Sequence, residues 1–481
     1  MGQQKIVRGV VAVAPVAIFL AVYSLYWPPD VPLIGPDSPS YLDFHAIRSA
    51  GYPFFLSILK LIFADRSHYV IAQYTLYGLS VLLFAWQLLK TEQNLLFCLI
   101  VEVGLLANWE VNRFHFTIIT ETLFLSIGVC FLAAALAHLR AGSVASLAAA
   151  AAAAAAALAV RLTGLAFLAA LPVLLFAAPS ASSWVKRLAA GILLIVVVLG
   201  AESLYHSAYH PGPRETQLPI QLFGKAGMVS VTHPEQVIDD APPVERPLQE
   251  ALEYQLAPAR KLLAATPNMA TRCRLEVWYE IFVEFDFAPD ERTAVIEAAH
   301  GWRGLAAVAL ARLRAGMPDY LRLTGDHLFC LWTLWATDNN EKAALAAYLA
   351  AHEPAPFADS VLPSFEKSRT PPFPRVVRAV MLVIAAVLAL AGIWVVVGLC
   401  LRRSLSLPLK LSGICGIVVH AGLVVSALGS VGIPRYTIGL WPPMVVGILF
   451  FGAWAAQQTV RLARIIGGRK SGEVFSGAAR S

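Results

Sequence analysis

Apolar residues in this chain come in long unbroken runs rather than in alternation. Runs of about 17 to 25 residues match the hydrocarbon core of a bilayer. They fall at about 8 to 27, 69 to 90, 94 to 108 (short), 118 to 138, 144 to 160, 163 to 178, 188 to 205, 376 to 400, 409 to 430 and 438 to 457. The pattern predicts about ten transmembrane helices. Between residues 206 and 375 it changes to prolines, charges and apolar residues three and four apart, as in VERPLQEALEYQLAPARKLLAA and DERTAVIEAAHGWRGLAAVALARLRAGM, which predicts short amphipathic helices. PDYLRLTGDHLFCLWTLW, near the end of this segment, is too apolar for a free surface and is expected against the membrane or the helix bundle. The expected class is an all-α polytopic membrane protein with a helical external domain between helices 7 and 8. Its modules are residues 1–205 with a first external loop at 28–68, the domain at 206–375, a second membrane module at 376–460, and a tail at 461–481.

Composition agrees. Hydrophobic residues fill 58% of 481 positions, charged residues only 14%, and mean hydropathy is +0.65, where a soluble domain has roughly a quarter charged. Basic residues then orient the helices, because short cytoplasmic loops are enriched in them. Lys5, Arg8, Lys90, Arg140, Lys186, Arg187, Arg402, Arg403, Lys410, Arg461 and Arg464 share one side if ten helices alternate, so both termini are expected in the cytoplasm. Arg375 and Arg378 break the rule, as exceptions or as partners of an anionic ligand. The first run continues through Tyr23 and Tyr26 to Trp27 without an A-x-A site, so it reads as a retained helix rather than a signal peptide. The pI of about 9.0 and net charge of +6 follow from the inside loops and imply no nucleic-acid partner. Cysteine and histidine spacing gives no metal site. A divalent metal stays open but unsupported, and no cofactor is assigned. Only Cys273 and Cys330 lie in the external segment, where an oxidising compartment can pair them.

The opposite, external face collects the candidate chemistry. The first loop, WPPDVPLIGPDSPSYLDFHAIRSAGYPFF, carries Asp30, Asp37, Asp43, His45 and Arg48 among aromatics, prolines and glycines. Pro36-Asp37-Ser38 is turn-forming and can fix one carboxylate beside the bilayer. Near the same face fall Arg113 and His115, Glu121 in TITETLF, Arg161 in VRLTGL, Glu202, and Arg435-Tyr436 in IPRYTIGLWPP. Charges in hydrocarbon cost at least ~2.5 kcal/mol on insertion scales. Glu102 and Glu202 read as paired or snorkelling charges, while Glu121 and Arg161 are either a structural pair or part of a site.

Taken in order, these segments resemble the GT-C glycosyltransferases. The likeness covers roughly 1 to 205 and 376 to 457 and rests on PDSPSYL, RSAGYPFF, TITETLF, VRLTGL and RYTIGLWPP. Asp37-Ser38 stands where protein mannosyltransferase-like members carry Asp-Glu, a departure from that branch. The resemblance implies transfer of a sugar from a polyprenyl-phosphate-linked donor to a glycan, lipid or protein acceptor at the external face of an inner (cytoplasmic) membrane. Asp37 is then the expected base, with Glu121 beside it, Asp30 and Asp43 as rivals and His45 as a loop hydrogen-bonder. Arg435 is favoured for the phosphate, supported by Arg48, Arg161 and Lys225, with Tyr52, Arg113 and Tyr436 as further binding positions. The chemistry stands without the name: a phosphate leaves as a stabilised anion, so transfer needs one base and cations, whereas hydrolytic glycosidases need two carboxylates. The alternatives are a lipid-linked oligosaccharide ligase or polymerase, a secondary transporter of envelope precursors, and a non-catalytic assembly partner.

Overall fold

The computed structural model describes residues 2–28, 31–91, 94–179, 183–212, 214–266, 268–334, 373–430 and 432–476. Among them the chain forms α-helices without a named strand. In order they are α1 (Gly2–Leu25), α2 (Ser38–Leu42), α3 (Gly51–Ile62), α4 (Ser67–Leu89), α5 (Leu95–Leu106), α6 (Trp109–His115), α7 (Glu121–Ala141), α8 (Val144–Val160), α9 (Leu165–Ala177), α10 (Trp184–Tyr209), α11 (Leu218–Met228), α12 (Pro234–Asp239), α13 (Arg246–Tyr254), α14 (Ala257–Ala265), α15 (Met269–Phe285), α16 (Pro289–Ala298), α17 (Arg303–Ala315), α18 (Met317–Thr333), α19 (Pro374–Cys400), α20 (Leu407–Gly429), α21 (Pro434–Gly439) and α22 (Trp441–Ser476).

Six of these, α4, α7, α10, α19, α20 and the Trp441–Arg464 part of α22, are long and apolar enough to cross a membrane. The protein is an all-α, multi-pass membrane protein. Each of the ten apolar runs falls on a helix, but α5, α8 and α9 have only 12, 17 and 13 residues. The alanine run of α8 leaves small, buried side chains that let α7 and α10 approach closely. α20 lies centrally against α9, α19 and α22.

Two local departures from the apolar pattern position the site. The fourth run was expected to become helical at 118, yet α7 begins at Glu121. Leu33 pairs as an isolated parallel bridge with Thr117, donating its N–H to Phe116 at 2.8 Å and accepting from Ile118 at 3.1 Å, which keeps 116 to 118 extended. Glu121 thereby occupies the first turn of α7, where the helix dipole favours a carboxylate. At the other point a 3₁₀ turn, Leu162–Gly164, separates α8 from α9. A Cβ on Gly164 would come within 2.2 Å of the Leu158 nitrogen, so only glycine lets the chain fold back against α8 and hold Arg161 at its C-cap.

Helices α11 to α18 enclose a second hydrophobic cluster with Phe223, Leu252, Tyr279, Val283 and Leu323 at its centre. The Cys273–Cys330 disulfide ties α15 to α18. The last turn of α18 leaves this unit, and Leu331 and Trp332 join the transmembrane cluster.

Glu276, Glu280 and Glu284 lie on one face of α15 at four-residue spacing, and all three are buried. Burial pushes the carboxyl of Glu276 up to about 8, that of Glu280 to about 7, and that of Glu284 well above the ordinary range. A raised folded value means the folded state holds the proton more tightly. Stability is therefore full below the unfolded value and falls as pH rises toward the folded one. Glu284 Oε1 has no hydrogen-bond partner among the described residues. Glu284→Gln is expected to stabilise this unit at pH 8 by about 1.4 kcal/mol for each pH unit by which the carboxyl is displaced, with little change at pH 5. Urea unfolding followed by tryptophan fluorescence at both pH values checks it. An equal shift at pH 5 and 8 would refute the assignment.

Candidate functional site

The first loop is stitched against the chain before α7. Ser38 Oγ donates to the Ile118 carbonyl at 2.7 Å and accepts from the Gly35 N–H at 2.9 Å. Asp37 takes the N-cap position of α2, and Ser40 Oγ donates to its carbonyl at 2.7 Å.

Five charges then alternate. Asp37 Oδ1 accepts from Arg48 Nη2 at 2.7 Å and Oδ2 from Arg435 Nη1 at 2.6 Å. Arg435 Nε lies 2.5 Å from Glu121 Oε1, an ion pair without hydrogen-bond alignment, and Arg161 Nη1 donates to the same oxygen at 2.6 Å. Arg161 also lies over the rings of Phe124 and Tyr436, at 5.8 and 5.2 Å. Three guanidiniums face two carboxylates, which leaves one net positive charge. Burial works against ionisation of Asp37, but Arg435 and Arg48 outweigh it and hold the carboxyl below its ordinary value. Arg435 shows the converse: burial opposes its charge, and Glu121 and Asp37 overcome that and raise its pKa.

Beside this relay opens a cavity of about 410 Å³. Arg48, Arg161, Arg435 and Tyr436 lie on its lining, as do Arg214, Glu202, Gln217 and the apolar side chains of Leu199, Leu218 and Val425. Not all of these arginines are equally available. Arg48 has four of its five N–H donors engaged, by Ser40, Tyr41, Gln217 and Asp37. Arg214 is forked onto Glu202, at 2.7 and 2.6 Å. Nη2 of Arg161 and of Arg435 has no hydrogen-bond partner among the described residues, so these two edges are the ones the cavity offers to an anion.

The other expected residues separate. Glu121, expected beside the base, is fully buried behind the arginines and does not line the cavity. Tyr52 is also buried, donating to Gln73 at 2.5 Å and standing edge-on to Tyr41, so it supports the Arg48 platform from behind. Arg113, Asp43 and His45 are exposed and do not line the cavity; Asp37 is not on the lining either, although Arg48 and Arg435, which hold it, are; Asp30 lies outside the described residues. Lys225, expected near the phosphate, is instead fully buried in α11 against Glu280 and His327. Gly224 and Gly227 explain why. A Cβ on Gly224 would sit 2.8 Å from Glu284 Cγ, and one on Gly227 3.0 Å from Val283, so α15 presses close and encloses the lysine. Glu102 is buried on α5 away from the cavity lining, with neither oxygen hydrogen-bonded among the described residues.

Sequence reading underrated one element. Glu202 and His206 on α10 and His210 at its C-cap, four residues apart, clasp the first-loop backbone. Glu202 Oε1 accepts from Ala50 N–H at 2.9 Å, and His206 and His210 reach the carbonyls of Ala46 at 2.9 Å and Phe44 at 2.6 Å. The spacing was visible in ESLYHSAYH; the partner strand of backbone was not. Arg214, a single cation in a loop, gave no signal. Among the described residues no group of three histidine, cysteine or acidic side chains gathers to hold a metal. No protein-family model, no curated protein and no solved structure matches the chain.

Proposed function

We propose that this protein is a membrane glycosyltransferase of the GT-C kind, moving a sugar from a polyprenyl-phosphate-linked donor to a glycan, lipid or protein acceptor on the external face. In this reading the ten apolar helices all serve the bundle, the shorter ones bordered by thinner bilayer or packed among longer neighbours, and the 206–375 segment is external. The observation that carries it is the cavity beside the relay, where two guanidinium edges are free for an anion, and where Arg48 and Arg435 on the lining hold the part-buried Asp37 carboxylate ionised between them. A transporter would instead place its polar groups near the bilayer midplane at broken helices.

The chemistry follows from the charges. Arg161 and Arg435 take the phosphate and stabilise it as it leaves, so no general acid is needed. Asp37 is only part-buried, at 27% side-chain exposure, and each of its oxygens keeps a second lone pair for an acceptor hydroxyl. Its lowered pKa makes it a weak base but an always-ionised one. That suits a transfer in which the phosphate departs before the acceptor proton does. The apolar stretch Leu199, Leu218 and Val425 supplies a surface for the first units of a lipid tail.

The test uses purified protein in liposomes with a panel of polyprenyl-phosphate-linked sugars and of glycan, lipid and peptide acceptors. Label leaving one lipid donor for a product supports the reading. Binding of polyprenyl phosphate without transfer to any acceptor would favour a carrier, and no binding at all would overturn both.

A further inference from the structure

One face of α18 follows the turn that carries Arg435. Tyr320 donates its hydroxyl to the Leu428 carbonyl at 2.8 Å, near the end of α20, and Thr437 Oγ1 donates to the Leu331 carbonyl at 2.7 Å. Between these ties His327, fully buried, presses on Gly432, where a Cβ would come within 3.2 Å of the His327 Cβ. The Ser430 backbone lies beside the same ring. Residues 320, 327 and 331 are seven and four apart, which stacks them on one side of the helix. The turn continues the chain of contacts, since Ser430 Oγ meets the Tyr436 hydroxyl at 2.6 Å and the Tyr436 ring lies under Arg161.

The rest of α18 is fixed into the helical unit. Cys330 is bonded to Cys273 of α15. Asp326 accepts from Arg272 at 2.8 and 3.0 Å and from Arg322 at 2.6 Å, and Arg322 also reaches Glu276 at 2.7 Å. His327 Nδ1 meets Lys225 Nζ at 2.8 Å, while its Nε2 lies 3.3 Å from Glu280 Oε1. A lysine ammonium only donates, so Nδ1 accepts and the ring proton sits on Nε2, near Glu280 but without hydrogen-bond alignment. The imidazole is thus oriented by its hydrogen bond with the fully buried Lys225, with buried Glu280 close to its other nitrogen, before it touches the turn.

We infer that α18 is a positioning strut, anchored in α15 by the disulfide and the Asp326 and His327 contacts, whose Tyr320, His327 and Thr437 ties set the 428–437 segment and so aim Arg435 into the cavity. The inference rests on the reading of that cavity as a lipid-phosphate site. It assigns Lys225 and Glu280 an indirect part, through His327.

The experiment measures polyprenyl phosphate binding and donor-saturated transfer for the full chain. The variants are Thr437→Val, Tyr320→Phe and His327→Ala, each also in an Arg435→Ala background. Groups in one network are coupled. The strut variants are expected to weaken binding on the order of tenfold with transfer at saturating donor retained, and to add nothing once Arg435 is gone. Thr437→Val and Tyr320→Phe are near-isosteric, so they carry the test if His327→Ala fails to fold. Wild-type affinity in folded strut variants overturns the inference alone, and so does a loss that simply adds to that of Arg435→Ala. A wild-type protein that binds no polyprenyl phosphate overturns the reading and the inference together.

Discussion

Asp37→Asn is expected to lose nearly all sugar transfer while keeping its lipid-phosphate donor. A positioned base contributes ~10²- to 10⁴-fold, and asparagine keeps the shape of the α2 cap without a carboxylate. The relay fixes the sign of the second effect. With Asp37 ionised, Arg48, Arg161 and Arg435 exceed Asp37 and Glu121 by one charge; with asparagine they exceed Glu121 alone by two. An anionic phosphate should therefore bind as well as in the wild type, or more tightly. Loss of turnover with retained or improved donor affinity separates a base from a residue that merely holds the arginines, whose loss would weaken both. Asp43→Asn changes an exposed residue that takes no part in the relay of Asp37, Arg48, Arg435, Glu121 and Arg161, and should leave turnover near normal. Near-normal turnover in folded Asp37→Asn would sink the assignment. A dead Asp43→Asn beside it would move the base along the loop.

What the chain declares in one dimension is what the bilayer demands locally. Burying a helix in lipid requires an unbroken apolar run, so the six helices long enough to cross and the shorter apolar helices beside them could be read off residue by residue, and TITETLF and VRLTGL could be seen to offer a glutamate and an arginine to each other. Their pairing, Glu121 with Arg161, then follows from the cost of leaving either charge alone. The limits appear where position depends on a second segment. The start of α7 moved because Leu33 holds Thr117 in a bridge. α5 stopped at 12 residues, with its C-cap at Ala107. Lys225 in GKAGM looked available to a phosphate, since nothing nearby in sequence says that the flanking glycines admit α15 and let it enclose the lysine. Arg214 and the α18 contacts are likewise invisible until α10, α15 and the 428–437 segment are brought together. In each case the missing information was the identity of the neighbour, not the propensity of the residue.

Arg435→Ala is expected to cost the donor rather than the chemistry. Arg435 lines the cavity and bridges Asp37 and Glu121 through Nη1 and Nε, which leaves Nη2 without a partner among the described residues. A charge-assisted contact of this kind contributes ~1.5 to 3 kcal/mol, roughly a ten- to hundredfold loss in affinity for the lipid phosphate. The fold should survive, because Glu121 keeps Arg161 and Asp37 keeps Arg48. Arg435→Lys should recover only part of the affinity. A single ammonium lacks the planar fork that spans two carboxylates and still presents a donor to a third group. Titration with polyprenyl phosphate, repeated at raised salt, provides the measurement. Arg161 is the more buried of the two, with 8% side-chain exposure against 26% for Arg435, so the binding that the alanine variant retains should be no more sensitive to salt than that of the wild type. Unchanged donor affinity in folded Arg435→Ala would remove this arginine from the site, and with it the reason for α18 to hold the turn.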